Sequence, residues 1–193
     1  METHLKQLES NCIKVVLFGP ESTGKTTLAK ALAKHYNTTW VPEFAREYLE
    51  SKWYKSQEIC APEDIFPIAV GQMKLENEAL KRANTFLFCD TTLLSTQVYS
   101  EAYFDGWCDK NVVQANKENR YDVYFLTDID VPWEEDLLRD RPNQREEMFQ
   151  KFASCLTKRN LTYTLLNGSH EERMKCAIEK LDELNETHIY ATG

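Results

Sequence analysis

None of the six cysteines, at 12, 60, 89, 108, 155 and 176, forms a C-x-x-C pair. That removes the common zinc and dithiol-redox patterns. Cys12, Cys89 and Cys176 lie in or beside apolar runs, so the thiols read as free ones in a reducing compartment. The four histidines are scattered without metal-ligand spacing. No apolar run approaches the roughly 18 residues of a membrane span. The opening METHLKQLESNC lacks the apolar core of a secretory signal, so a cytoplasmic location without membrane contact is expected. A basic excess is also missing. Lys and Arg number 23 against 31 Asp and Glu, giving a net charge of −8, which argues against a nucleic-acid partner. No repeat, low-complexity tract or linker divides the 193 residues. One domain over 13–187 is expected, with 1–12 and 188–193 as loose ends.

What is present alternates. CIKVVLFG, TTWV, TFLFCD, YDVYFLT and LTYTLLN are short runs rich in β-branched and aromatic residues and read as strands. Between them, GKTTLAKALAKHY, EFAREYLESKWY, EDIFPIAVGQMKLENEALKRA, TTLLSTQVYSEAYF and NQREEMFQKFASCLTKRN read as helices. HEERMKCAIEKLDELNE closes the series as another helix. In the second, Phe44, Tyr48 and Leu49 are assigned to one face. Strand–helix alternation from end to end predicts an α/β fold, a five-stranded parallel sheet with helices on both faces.

The stretch GPESTGKT at 19–26 fits G-x-x-x-x-G-K-[ST], with a buried strand before it and a helix after it. Glycines let the backbone wrap phosphates, and successive N–H groups at a helix start supply positive potential. Gly19, Glu21, Ser22, Thr23, Gly24, Lys25, Thr26 and Thr27 are therefore assigned to ATP. Lys25 serves the β- and γ-phosphates, and Thr26 offers a hydroxyl to Mg²⁺.

Three further clusters follow strand ends, where ligands of open α/β sheets bind. Asp90 ends TFLFCD and suits the Mg²⁺ side or an acceptor base; with strand order 2-3-1-4-5 its strand lies beside the P-loop strand. Glu43 and Arg46 in WVPEFARE share a helix face at i, i+3 and are assigned to the acceptor. Trp40 is either a stacking platform there or ordinary core. Arg139, Arg141 and Arg145 fall within seven residues of EEDLLRDRPNQREE, an arginine-bearing flap suited to charge on a transferring phosphoryl group.

Taken together, GPESTGKTTLAKALAKHYNTTWVPEFAREYL and CDTTLLSTQVY resemble the ribosylnicotinamide kinase domain of NadR-type proteins, over about residues 13–182. The resemblance implies a P-loop kinase that uses ATP to phosphorylate the 5′-hydroxyl of nicotinamide riboside, giving nicotinamide mononucleotide. It makes Gly24, Lys25 and Thr26 the ATP and Mg²⁺ residues. It also makes Asp90 and Glu43 candidates for contacting the ribose or activating its hydroxyl. Asp90 is expected to act on the hydroxyl and Glu43 to hold the sugar. Where the family places an aromatic residue directly before the glutamate, this sequence has Pro42, with Trp40 the nearest tryptophan. Two alternatives stand beside this reading: a kinase for another nucleoside or small metabolite, and a regulatory P-loop ATPase module.

Overall fold

A computed structural model describes residues 3–136 and 142–192. Arg139 and Arg141 of the expected flap lie outside the described residues.

Five strands, β1 (Ile13–Phe18), β2 (Thr39–Val41), β3 (Phe86–Cys89), β4 (Val123–Thr127) and β5 (Thr164–Leu166), form one sheet in the order β2-β3-β1-β4-β5. All four pairings are parallel. Both class and strand order agree with the sequence reading. The helices are α1 (Lys25–His35), α2 (Phe44–Ser56), α3 (Ile65–Leu80), α4 (Leu93–Tyr103), α5 (Lys110–Glu118), α6 (Arg145–Lys158) and α7 (His170–Thr192).

Side chains on a strand alternate between faces, and β1 shows how both faces come to be covered. Val15 and Leu17 point into a cluster with Leu28, Leu32, Ala177 and Leu181, from α1 and α7. Val16 and Phe18 point the other way, against Leu94, Val98, Phe152 and Leu156 from α4 and α6. All six β1 residues are buried, which explains an unbroken apolar run rather than an alternating one. On the β2–β3 side, Val41, Leu87 and Cys89 pack with Ala79 and Leu80 of α3.

Helix boundaries follow local chemistry. Pro62 opens a short 3₁₀ turn, Pro62–Asp64, that leads into α3. Pro67 then sits in the first turn of α3, where its missing N–H costs no intrahelical bond. Helix α5 has no counterpart in the sequence reading. It starts at Asp109, whose carboxylate accepts from the Asn111 N–H at 2.7 Å.

Among the described residues, the segment before β1 packs on the helices. Leu5 is buried against α3, α4 and α5. The Gln7 amide donates to Glu76 at 2.6 Å, and its carbonyl oxygen accepts from the Arg120 N–H at 3.0 Å. Among the described residues, no helix is long and apolar enough to cross a membrane.

Candidate active site

The 19–26 loop wraps at the carboxyl end of β1. Gly19 lies so close to Thr127 that an added Cβ would stand 2.5 Å from the threonine oxygen, at a φ of +144°. Gly24 caps α1 at φ 80° and ψ 15°. Both positions call for glycine. The Thr23 hydroxyl donates to the Pro20 carbonyl (2.8 Å) and lies 2.7 Å from the Thr127 hydroxyl. The loop is thus pinned to the end of β4, between its two glycines.

Lys25 Nζ donates to the Pro20 carbonyl at 2.5 Å, so the ammonium crosses the mouth of its own loop. Thr26 donates its hydroxyl to Asp90 Oδ2, also at 2.5 Å. Thr27 is exposed in the first turn of α1. Asp90 is only 3% exposed. Burial raises its pKa above the ordinary aspartate value, opposed by Lys25, by the Thr26 hydrogen bond and by Arg46 and Lys30.

A second arginine reaches the loop from a place the sequence reading passed over. Arg173 of α7 is buried. Its guanidinium donates to the carbonyls of Thr23 (2.7 Å), Gly168 (3.0 Å) and Asp128 (3.2 Å) and pairs with Asp130. Arg145 Nη2 donates to the carbonyls of Ser22 (3.2 Å) and Val131 (2.9 Å), with its guanidinium over Trp133. Arg145 therefore braces the back of the loop through backbone carbonyls.

Beside the loop is a cavity of about 380 Å³. Glu21 and Lys25 line it, with Glu43, Arg46, Leu49 and Trp53 from the start and one face of α2. Thr91 and the α4 residues Thr96, Tyr99 and Tyr103 also line it, as do Ile59, Cys60 and Phe104. Lys25, the three carboxylates Glu21, Glu43 and Glu58 and an aromatic wall therefore share one space. Glu43 is the N-cap residue of α2, so it enters the cavity from the end of β2. Arg46 donates to Asp136 at 2.7 Å and to Glu50 at 3.3 Å. Burial works against its charge, but Asp136, Glu43 and Glu50 outweigh burial and raise its pKa. Burial also raises the Tyr99 phenol well above its usual range, with Glu43 and Glu21 adding to the effect. Cys60 is pushed up to about 11, chiefly by burial, so it is a thiol at neutral pH.

One open reading closes and two assignments change. Trp40 does not line the cavity. It packs on the β1–α1–α7 cluster, with Lys30 Nζ 5.1 Å from its ring, because its neighbour Val41 takes the opposite face of β2. Asp90 is not among the cavity-lining residues; its carboxylate is turned to Thr26 instead. Leu49 faces the cavity, whereas Phe44 packs on Gly71 and Tyr48 bonds to Asp64. Five residues along a helix rotate about 140° from Phe44 and four only about 40°, so Leu49 leaves the face that Phe44 and Tyr48 share.

Helix α2 has no fully buried residue and is held from outside by one acid. Asp64, 4% exposed, accepts from Lys52 Nζ (2.6 Å), the Tyr48 hydroxyl (3.0 Å) and the Ala61 N–H (2.8 Å). Burial pushes its pKa up, but Lys52, the Ala61 N–H and Tyr48 together bring it below the ordinary value. A depressed folded pKa contributes stability that is complete above the unfolded value and disappears as pH falls through the folded one. Asp64→Asn is therefore expected to lower the unfolding midpoint by several degrees at pH 7. The gap from wild type should close below about pH 4. Thermal unfolding across pH 3–7 checks this.

Comparison with known proteins places the chain in a family. A family model described as an AAA domain matches residues 14–173. The chain belongs to the AAA-domain family. Among curated AAA-domain relatives, the trifunctional NAD biosynthesis/regulator protein NadR of Escherichia coli is 28% identical over 173 residues, 88% of this chain and 42% of that protein. Its Salmonella typhimurium counterpart is 34% identical over 147 residues, 76% of this chain and 36% of that protein. The chain spans about two fifths of the length of these curated relatives. A crystal structure of a NadR protein in complex with NR superposes with a TM-score of 0.73 at 23% identity, over 90% of this chain and 50% of that one. A deoxyadenosine kinase from M. mycoides matches at a TM-score of 0.65 and 14% identity, over 89% of this chain and all of that one. The likeness to these solved structures shows the fold, a five-stranded parallel sheet with helices on both faces.

Proposed function

We propose that this domain uses ATP to phosphorylate the 5′-hydroxyl of nicotinamide riboside, yielding nicotinamide mononucleotide. The observation that carries the reading is the single cavity with Lys25 at its phosphate side and Trp53, Tyr99 and Tyr103 around it. Aromatic faces suit a flat heteroaromatic ring, and the NadR relatives, one of them solved with NR, support this acceptor.

Phosphoryl transfer needs alignment and charge stabilisation more than covalent chemistry by the protein. Backbone N–H groups of the 19–26 loop and the start of α1 face the phosphates, and Lys25 adds a mobile positive charge. Thr26 and Asp90 would hold a Mg²⁺ ion through two hard oxygens. When bound, Mg²⁺ neutralises charge on the β- and γ-phosphates.

Glu43 lines the acceptor space and Asp90 does not, so the roles expected from sequence exchange. Glu43 takes the proton as the hydroxyl oxygen attacks the γ-phosphorus and the bond to the ADP oxygen breaks. Asp90 works on the nucleotide side. Arg46 holds the acceptor beside Glu43.

ATP consumption measured against a panel of nucleosides tests the assignment. Consumption should depend on nicotinamide riboside and yield its 5′-phosphate. Preference for another nucleoside would change the acceptor. Consumption independent of every acceptor would make this a regulatory ATPase module.

A further inference from the structure

The carboxylates Glu43 and Asp90 follow neighbouring strands, β2 and β3, and something must set the gap between the two turns. The paired strands end together: Val41 is in register with Cys89, and the Asp90 N–H donates to the Val41 carbonyl at 3.0 Å. Beyond that bond the chains separate into Pro42-Glu43 and Thr91-Thr92. One side chain spans the opening. Gln72 of α3 is 1% exposed. Its Oε1 accepts from the Phe44 N–H at 2.8 Å. Its Nε2 donates to the Pro42 carbonyl at 3.1 Å and to the Thr91 carbonyl at 3.4 Å. The amide orientation is dictated by these partners, because an N–H needs the oxygen and two carbonyls need the nitrogen.

Gln72 therefore holds the backbone on both sides of Glu43 and, through the same nitrogen, the residue after Asp90. Gly71 completes the seat. A Cβ there would stand 2.1 Å from the Phe44 ring, so Phe44 rests directly on the α3 backbone and fixes the first residue of α2. Pro42 has no N–H to give, and the Glu43 side chain does not cap its helix.

We infer that Gln72, seated beside Gly71, is the positioning residue that fixes Glu43 relative to the Asp90 turn, so that the acceptor hydroxyl and the phosphate meet in line. The inference rests on the placement of the acceptor next to Glu43. Gln72 itself touches no reactant; it acts through the Pro42–Phe44 backbone.

The test is a double-mutant cycle with nicotinamide riboside and ATP as substrates. Gln72→Met keeps the volume and removes all three bonds. Gln72→Glu keeps the acceptor for Phe44 and loses the donor to Pro42 and Thr91, and it serves where the first variant fails to fold. Either one should lower kcat by about 10–100-fold, the cost of a small misplacement of reacting groups. Direct binding of a non-hydrolysable ATP analogue should stay within about twofold of wild type, since the 19–26 loop is untouched. In a Glu43→Gln background the same change should cost little more, because its route to the chemistry is already gone.

A general loss of structure would weaken nucleotide binding and lower activity equally in both backgrounds, and that result overturns the inference. So does wild-type kcat in the Gln72 variants while Glu43→Gln remains impaired, which leaves the acceptor placement standing. If Glu43→Gln itself shows wild-type acceptor kinetics, the placement fails and the inference falls with it.

Discussion

Lys25→Ala should abolish phosphoryl transfer while leaving a folded protein. The lysine is partly exposed, and its Nζ contact is to Pro20, inside its own loop. The core clusters on both faces of the sheet are built without it. The loop keeps its shape through Thr23, Thr127 and the Arg173 bonds to the backbone, so its conformation does not rest on the ammonium alone. The reaction does, because no other cation from the 19–26 loop lines the cavity. Loss of several kcal/mol of transition-state stabilisation corresponds to about 10²–10⁴-fold in kcat. Arginine at this position should not restore the rate, since a planar fork cannot sit where a compact charge does. The measurement is single-turnover transfer alongside circular dichroism and thermal unfolding. Wild-type turnover in a folded Lys25→Ala would end the phosphoryl-transfer reading.

The parts of this molecule that were legible in the sequence are those encoded by neighbours along the chain. β1 shows as IKVVLF because both of its faces are covered, and the loop shows as GPESTGKT because phosphate wrapping dictates residue types over eight consecutive positions. Strand order 2-3-1-4-5 followed from placing those signals in a P-loop topology. What escaped is non-local. Trp53 and Tyr99 lie 46 positions apart, on helices that meet only in three dimensions, so neither stood out as an acceptor wall. Trp40, the tryptophan nearest Glu43 along the chain, is turned by strand alternation to pack half-buried against the core. Gln72 reads as one polar residue in a mixed helix, and Arg173 as one more charge in HEERMK. Their burial gives them meaning: a buried guanidinium or amide has to find partners, and here those partners are the turns that carry the site. Asp90 was found correctly as a strand-end acid, but a strand end cannot reveal which way a carboxylate turns.

That direction can be measured. Glu43 faces the acceptor space with Arg46 and Tyr99, whereas Asp90 is buried against Thr26. Substituting the two should therefore damage different quantities. Glu43→Gln keeps the size and removes the base, so kcat should fall by about 10²–10⁴-fold. Affinity for the ATP analogue should hold, because Glu43 lies outside the 19–26 segment. Asp90→Asn keeps a polar partner for Thr26 but removes a charge from the nucleotide side. Its main effect should be a rise of about 10–100-fold in the Mg²⁺ concentration needed for half-maximal rate, since a neutral amide holds a hard cation less well than a carboxylate. Acceptor KM should change little. Rates titrated against Mg²⁺ and against nicotinamide riboside separate the outcomes. If Asp90→Asn instead destroys kcat at saturating Mg²⁺ while Glu43→Gln only raises the acceptor KM, Asp90 is the base and Glu43 holds the sugar. Turning Asp90 into the acceptor space would then require the Thr26 hydroxyl to release it, a rearrangement that costs one charge-assisted hydrogen bond of about 1.5–3 kcal/mol.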